Sequence, residues 1–232
     1  LAADLPDGFE EKVKAFCETL PSRIEGYERL LTENKIWLNR TKGVGVISAE
    51  EGIALGLSGP CLRGCGVKWD LRKSNPYSSY DHFDFEIPTG SHGDSYDRYL
   101  VRLEEMRQSN RIIKQALERL PEGPCNAASP KVVPPPKELV QESIESLIIH
   151  FHLMTEGFNV PKGEAYCSVE SSKGELGFYI VSDGGSKPYR VKIRTPSFVN
   201  MESFAVMAQG RMMADIVAII GSIDICLGEV DR

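Results

Sequence analysis

The period at which apolar residues recur switches from helical to alternating late in this chain and then back again, and that switch limits the fold more than any other feature. Phe9, Val13, Phe16, Leu20, Ile24, Tyr27 and Leu31 recur at helical spacing with Glu and Lys between them. Pro21 falls inside this run, where its ring and missing N–H are expected to kink or divide the helix. Ser48-Ala-Glu-Glu51 reads as a capping box that opens a short helix, closed at Gly56. A second long stripe starts near Ser95 with Tyr96, Tyr99, Leu100, Leu103, Met106, Ile113 and Leu117, and Pro121-Glu-Gly123 stops it. A third carries Val140, Ile144, Leu147, Ile148, Phe151 and Met154 and ends at Gly157. Beyond it the pattern alternates. Glu164 to Glu170, Leu176 to Ser182 and Tyr189 to Thr195 have strand character, with turns at Lys173-Gly174 and Asp183-Gly184-Gly185. In the last of these, Tyr189, Val191 and Ile193 alternate with Arg190, Lys192 and Arg194, so one face is expected to be buried and the other basic. A helix near Met201 and an apolar one from Gly210 to Ile220 follow. Long helices with a small antiparallel sheet predict an α+β fold.

The expected organisation is a helical region over residues 1–157 and, over 158–232, a small sheet with a terminal helix and a polar tail. Together they read as one continuous domain of a longer subunit. The helical region contains a Gly/Pro-rich stretch, 56–93, and a Pro-rich linker, 121–136, that ends in Pro134-Pro135-Pro136 and is expected to be extended. A stretch as long as 56–93 without regular structure is expected to be functional or to form an interface. The start, Leu1-Ala2-Ala3-Asp4, has neither a basic segment nor an initiator Met, so it reads as a processed or truncated end without a signal peptide. The densest apolar run, Met212 to Ile220, is shorter than the roughly 20 residues a bilayer span needs and contains Asp215. A net charge of −6 weighs against a nucleic-acid partner, which needs a basic patch.

Six cysteines, Cys17, Cys61, Cys65, Cys125, Cys167 and Cys226, are scattered along the chain, a pattern of free thiols in a reducing compartment. Cys61 and Cys65 would need two further ligands to hold zinc. His82 and His92 do not stand at matching spacing, so two small buried thiols are the simpler reading. His150 and His152, two apart on a helix, face different sides and read as packing or surface residues. No G-x-G-x-x-G, P-loop, H-E-x-x-H or G-x-S-x-G occurs, which leaves the common nucleotide, zinc-protease and hydrolase chemistries without support.

The end of the chain is the remaining candidate. After the apolar helix come Gly221-Ser-Ile-Asp224-Ile-Cys226-Leu-Gly-Glu229-Val-Asp231-Arg232. Buried charges are costly unless paired, so this tail is expected to pair with basic groups such as Arg190, Arg194 or Lys173. Two readings stand at this point. One is a salt-bridged terminus that only fixes the fold; the other is a redox-coupled network whose carboxylates change protonation beside a reacting group.

Several stretches resemble the D-type (49 kDa-type) subunit of NADH:quinone oxidoreductase, the respiratory complex I component related to nickel–iron hydrogenase large subunits. They are Leu57-Ser-Gly-Pro-Cys-Leu-Arg63-Gly-Cys-Gly-Val-Lys-Trp-Asp-Leu-Arg72, Asn75-Pro-Tyr, Tyr80-Asp-His-Phe-Asp-Phe, Gly93-Asp-Ser-Tyr-Asp-Arg-Tyr, Lys173-Gly-Glu-Leu-Gly-Phe-Tyr, Ser182-Asp-Gly-Gly-Ser-Lys-Pro-Tyr-Arg190 and the tail. They span nearly the whole chain in the family's order. The resemblance implies the C-terminal portion of a hydrogenase-large-subunit-like fold, in which the quinone head group is reduced beside an iron–sulfur cluster held by a neighbouring subunit. Hydrogenases end in Asp-Pro-Cys-x-x-Cys, whose thiolates hold nickel. Here Asp224-Ile225-Cys226 is followed by Glu229 where the second cysteine would stand, so no metal is expected in this chain.

Carried over residue by residue, Asp224, Cys226, Asp231 and Arg232 match the family's cavity-lining tail. Cys226 replaces the usual valine, and Lys173 stands where the family often has arginine, a position that can pair with Asp224 while losing a bidentate fork. Asp224 and Glu229 are the expected proton network, with Cys226, Asp231, Arg232 and Lys173 lining the quinone cavity. The family's histidine and tyrosine that hydrogen-bond the quinone carbonyls belong to the half preceding Leu1, so this stretch alone is not expected to be active. The resemblance also implies quinone as substrate, and FMN and iron–sulfur clusters in partner subunits. The implied partners are the protein that holds the terminal iron–sulfur cluster, the C-type subunit and the membrane arm. The implied location is peripheral, on the cytoplasmic side of the bacterial inner membrane. Two alternatives remain: an energy-converting hydrogenase subunit, which predicts bound nickel, and a docking scaffold that uses the 56–93 stretch and the basic strand as interface.

Overall fold

The computed structural model describes residues 4–231 except 125, 127, 128, 130 and 131. In order come α1 (Phe9–Leu31), α2 (Lys35–Thr41), α3 (Ala49–Ala54), α4 (Gly59–Gly64), α5 (Leu71–Ser74), a 3-10 turn (Tyr80–His82), α6 (Ser95–Glu118), α7 (Lys137–Glu142) and α8 (Ile144–Thr155). Then come β1 (Gly163–Ser171), β2 (Gly174–Ser182), β3 (Arg190–Arg194), α9 (Pro196–Met201), α10 (Ser203–Ala208), α11 (Met213–Ile223) and α12 (Leu227–Asp231). The strands form one three-stranded antiparallel sheet in the order β1-β2-β3, so the fold is α+β as expected.

The chain divides into two compact units. The smaller holds α7, α8 and the distal part of the sheet, from Pro121–Cys167 and Phe178–Lys192 with the segment up to Phe9. The larger, Glu10–Leu120, Ser168–Gly177 and Ile193–Arg232, holds the hydrophobic core. Val44, Ile47, Leu57, Cys61, Leu62, Met207, Ile219 and Ile223 form that core, where α4, the loops before α3 and α4, α10 and α11 meet. Arg98 lies fully buried at its edge. Its guanidinium donates to the Gly93 and Gly45 carbonyls and to Ser95 and Ser222, fastening the start of α6 to α11.

Four expectations are corrected. α1 runs unbroken through Pro21. A proline withholds the N–H that the carbonyl of residue i−4 needs. That carbonyl belongs to Cys17, and the Asn110 side-chain amide on α6 donates to it instead at 3.1 Å. The 56–93 stretch is not wholly irregular: α4, α5 and the 3-10 turn lie within it, and residues 57–64 are all buried, while the rest of it has no regular structure. The third helix is two, α7 and α8, parted at Ser143, which leaves the helix to cap α8 through the Ser146 N–H at 3.3 Å. Finally, two apolar faces are open in this chain. Tyr189, leading into β3, is 75% exposed, and Val217 on α11 is 76% exposed while Ile219 and Ile223 of the same helix are buried. β3 is an edge strand, and α11 turns only one stripe to the core.

Candidate functional site

The site is built on the end of α11. Asp224 follows the helix in the left-handed conformation (φ 59°, ψ 55°), which a non-glycine residue adopts at a cost. This reverses the chain and aims the carboxylate back beside α6. Lys173, at the β1–β2 turn, forms an ion pair with Asp224. The Arg102 Nε of α6 lies 3.6 Å from the same carboxylate oxygen, and its terminal nitrogen donates to the Ile223 carbonyl at 3.2 Å. A cation at a helix C-terminus satisfies its free carbonyls and complements its dipole. Asp224 is therefore held between two cations from two different elements.

The remaining tail residues do not join that carboxylate. Glu229, on α12, accepts from the hydroxyl and from the backbone N–H (3.1 Å) of buried Ser197. The Glu229 carbonyl accepts from Thr195 at 3.0 Å. The Cys226 N–H donates to the same Ser197 hydroxyl at 3.1 Å, so Ser197 ties the tail to the start of α9. Cys226 and Asp231 are exposed, and Arg232 lies outside the described residues. Arg194 is taken by the Glu175 carboxylate (3.5 Å) and the Gly56 carbonyl (2.9 Å), and Arg190 is exposed on β3. Of the three basic residues expected for the tail, Lys173 is the one that pairs with Asp224.

Lys173 is positioned by backbone rather than by its own side chain. The Lys173 carbonyl accepts from the Asn200 amide at 3.1 Å, while Asn200 Oδ1 accepts from the Ser58 N–H at 3.2 Å. The Ser58 hydroxyl in turn accepts from the Glu175 N–H at 3.0 Å. Gly59 and Gly174 face each other at this junction. A Cβ on Gly59 would stand 2.4 Å from the Gly174 Cα and 2.8 Å from the Lys173 carbonyl oxygen. The chain reads Ser58-Gly59 and Lys173-Gly174 because no other residue lets these backbones approach so closely.

Asp224 also lines a cleft of about 760 Å³ between the end of α1, α2, α6 and α11. Trp37, Tyr99, Ala218 and Gly221 contribute to its largely apolar wall, with Arg102 at the Asp224 end. The buried Trp37 Nε1–H finds no acceptor among the described residues. Asp215, the charge inside the apolar run, is paired with Arg40 at 3.3 Å on the rim of this region. Cys61 and Cys65 are small thiols at α4: Cys61 is fully buried, and burial pushes the Cys65 thiol up to about 11. Among the described residues, no group of three His, Cys, Asp or Glu side chains could hold a metal ion.

Sequence reasoning found Lys173 and Asp224 but missed Arg102 and Asn200, which fix them. Arg102 lies between the apolar positions of α6, and nothing in that pattern sets it apart. Asn200 had no local signal.

These features define an α+β protein whose ionic helix-end tail lines an apolar cleft. Residues 1–232 match the family model described as the respiratory-chain NADH dehydrogenase 49 kDa subunit. Over 232 residues the chain is 56% identical to the NADH-quinone oxidoreductase D-type subunit of Geotalea uraniireducens (strain Rf4), covering 100% of this chain and 60% of that protein. It is 57% identical over 235 residues to the NADH-quinone oxidoreductase D-2 subunit of Chloroflexus aurantiacus, covering 100% of this chain and 57% of that protein. It is 52% identical over 232 residues to the corresponding protein of Wolbachia pipientis subsp. Culex pipiens (strain wPip), covering 100% of this chain and 60% of that protein. The chain belongs to the 49 kDa subunit family of respiratory-chain NADH dehydrogenases. It spans about three fifths of the length of these curated relatives. No helix among the described residues is long and apolar enough to cross a membrane.

Proposed function

We propose that this chain supplies one wall of the quinone-reducing site of a proton-translocating NADH:quinone oxidoreductase, with quinone as the substrate. Electrons from NADH reach it through FMN and iron–sulfur clusters held by partner subunits, and this chain holds no cofactor itself. The protein that holds the terminal cluster, the C-type subunit and the membrane-arm subunits are its partners. Its location is peripheral, on the cytoplasmic side of the bacterial inner membrane. The names of the relatives support the assembly and the reaction.

The observation that carries the reading is Asp224 itself. A carboxylate in a strained backbone conformation, between Lys173 and Arg102, sits at the end of an apolar cleft. Strain of this kind persists where surrounding structure enforces it, commonly at functional sites. The cleft volume of about 760 Å³ falls within the usual range for small-molecule pockets. Reducing a quinone to quinol consumes two electrons and two protons, so a carboxylate beside it acts as donor or relay. Asp224 is the first such group and Glu229, held by Ser197, the proposed second. In the assembled full-length subunit, Cys226, Lys173, Asp231 and Arg232 are proposed to line the quinone site with them.

Asp224→Asn and Glu229→Gln in the full-length subunit, assembled in the complex, test this. Loss of a general acid–base group costs on the order of 10²-fold or more in rate. Quinone reduction that falls to this extent with assembly intact supports the role; unchanged turnover and pumping remove the residue from it. The docking-scaffold reading draws on the open apolar faces of α11 and β3. A tail wholly exposed to solvent in the assembled complex would favour that reading instead.

A further inference from the structure

We propose that Glu170 carries protons to Asp224 through a hydrated cleft that leads from a buried ionic cluster on α4, α5 and α6 to the end of α11. The proposal rests on the reading of Asp224 given above and names where its protons come from.

Arg63 is the centre of the cluster, with its side chain 2% exposed. Its Nε donates to Glu105 at 2.6 Å, one terminal nitrogen donates to Glu170 at 2.8 Å, and Asp70 lies 3.7 Å away. Arg72 forks onto Asp70, with its closest approach 2.6 Å. The groups facing Glu170 are thus Arg63 on α4, Asp70 and Arg72 at α5, Tyr77 just beyond, and Glu105 on α6. Three acids meet two guanidiniums. An uncompensated charge in a low-dielectric interior is relieved by taking up a proton. Asp70 has the Arg72 fork and the Arg72 N–H, and Glu105 reaches partly into solvent. Glu170 has one arginine N–H and a long bond from the Leu71 N–H at 3.3 Å. It is the acid with the weakest claim to a negative charge, and burial pushes its carboxyl above the usual range.

A cleft of about 650 Å³ joins this cluster to the tail, lined by Arg63, Glu105, Glu170, Asn110, Arg102 and Asp224. At ~30 Å³ per molecule it has room for roughly 20 waters. Its wall carries the charged groups of Arg63, Arg102, Glu105, Glu170 and Asp224, and ionic groups lining a cavity of this size are solvated by water. The Tyr77 hydroxyl pins the backbone of Glu170, donating to its carbonyl and accepting from its N–H at 2.9 Å, so the carboxyl has a fixed place on the cleft wall.

In the step, the Glu170 O–H bond breaks and the proton passes over water to the Asp224 carboxylate. Glu170 is left as a carboxylate paired with Arg63. A proton from solvent at the exposed Ser109 and Ser172 rim restores it. No electron moves.

The test uses the full-length subunit in the assembled complex. Glu170→Gln is expected to lower quinone reduction about tenfold, less than loss of a group acting directly, and to flatten the fall in rate with rising pH that deprotonation of the donor produces. Infrared difference spectra recorded on quinone reduction are expected to lose a protonated-carboxyl band in this variant. Glu170→Asp keeps an acid at the position and is expected to shift that band, which keeps the assignment testable if the glutamine variant does not assemble. A wild-type pH profile with an unaltered band in either variant overturns the proposal. If Asp224→Asn is impaired while both Glu170 variants behave as wild type, this inference fails alone; if Asp224→Asn is itself silent, the reading of the site fails with it.

Discussion

Gly59→Ala tests whether the glycine-on-glycine junction is what holds Lys173 against Asp224. Gly59 has φ +63°, and a Cβ there would stand 2.4 Å from the Gly174 Cα, 2.7 Å from its nitrogen and 2.8 Å from the Lys173 oxygen. All three are backbone atoms, so no side chain can swing away to make room. The left-handed conformation alone costs an L-residue about 1–2 kcal/mol. Forcing a methyl into a packed contact adds about 1–3 kcal/mol, for roughly 2–5 kcal/mol together.

In a domain of this size each kcal/mol moves the midpoint by about 2–4 °C, so the melting temperature is expected to fall by roughly 4–20 °C. Gly210→Ala is the control. Gly210 is also left-handed (φ +73°), but a Cβ there meets nothing within 4 Å, so it bears only the conformational part. Thermal denaturation of the full-length subunit with each substitution separates the two contributions. Quinone reduction reports the second consequence, because the relief of the clash displaces the turn that carries Lys173. If Gly59→Ala melts no lower than Gly210→Ala, the junction yields easily and the argument that backbone contact positions Lys173 is wrong.

Two further outcomes follow from burial. Arg63→Met leaves Asp70, Glu105 and Glu170 with Arg72 as the cluster's one guanidinium, and removing one partner of a buried ionic group costs about 3–5 kcal/mol. Denaturant unfolding of the full-length subunit is expected to show a deficit of that order that shrinks as the acids take up protons at lower pH; a loss within ~0.5 kcal/mol, as for an ordinary surface change, would contradict the cluster. The Cys65 thiol, pushed up to about 11 by burial, and the fully buried Cys61 are expected to resist alkylation at neutral pH while exposed Cys167 and Cys226 react. Mass spectrometry of the labelled native protein reads this directly, and Cys65 labelling as fast as Cys226 would refute it.

Local pattern carried the long helices, because α1 and α6 each keep one period over many residues, and glycine turn signals bounded the strands. It failed where a tertiary partner overrides a local rule. Pro21 breaks helices in isolation, but the donor it lacks is supplied by Asn110, far along the chain. The 56–93 stretch looked irregular by composition, yet its glycines permit the tight approaches that bury α4. For the site, Asp224 and Lys173 were legible through motif and charge, whereas Arg102 was not. Its role depends on where α11 ends relative to α6, which no spacing within α6 records. The left-handed turn at Asp224 was equally hidden, since aspartate rather than glycine occupies it.

One short turn accounts for how these pieces act together. The segment from Glu170 to Gly174 places a carboxyl in the Arg63 cluster, an ammonium on Asp224 and a glycine against Gly59 within five consecutive residues. The Asn200 and Ser58 hydrogen bonds fix that backbone from the opposite side. The tail therefore does not find its partners as a flexible charged end would. Lys173 approaches Asp224 because the turn is immobilised by contacts that involve neither charge, and Arg102 meets the same carboxylate from a helix anchored through Arg98. Two cations from separately fixed elements meeting on one carboxylate lose little conformational entropy on pairing, which is the condition under which a partly exposed ion pair holds a definite geometry. The tail is therefore tied at once to the β1–β2 turn and to α6, through elements whose positions are fixed independently of its charge.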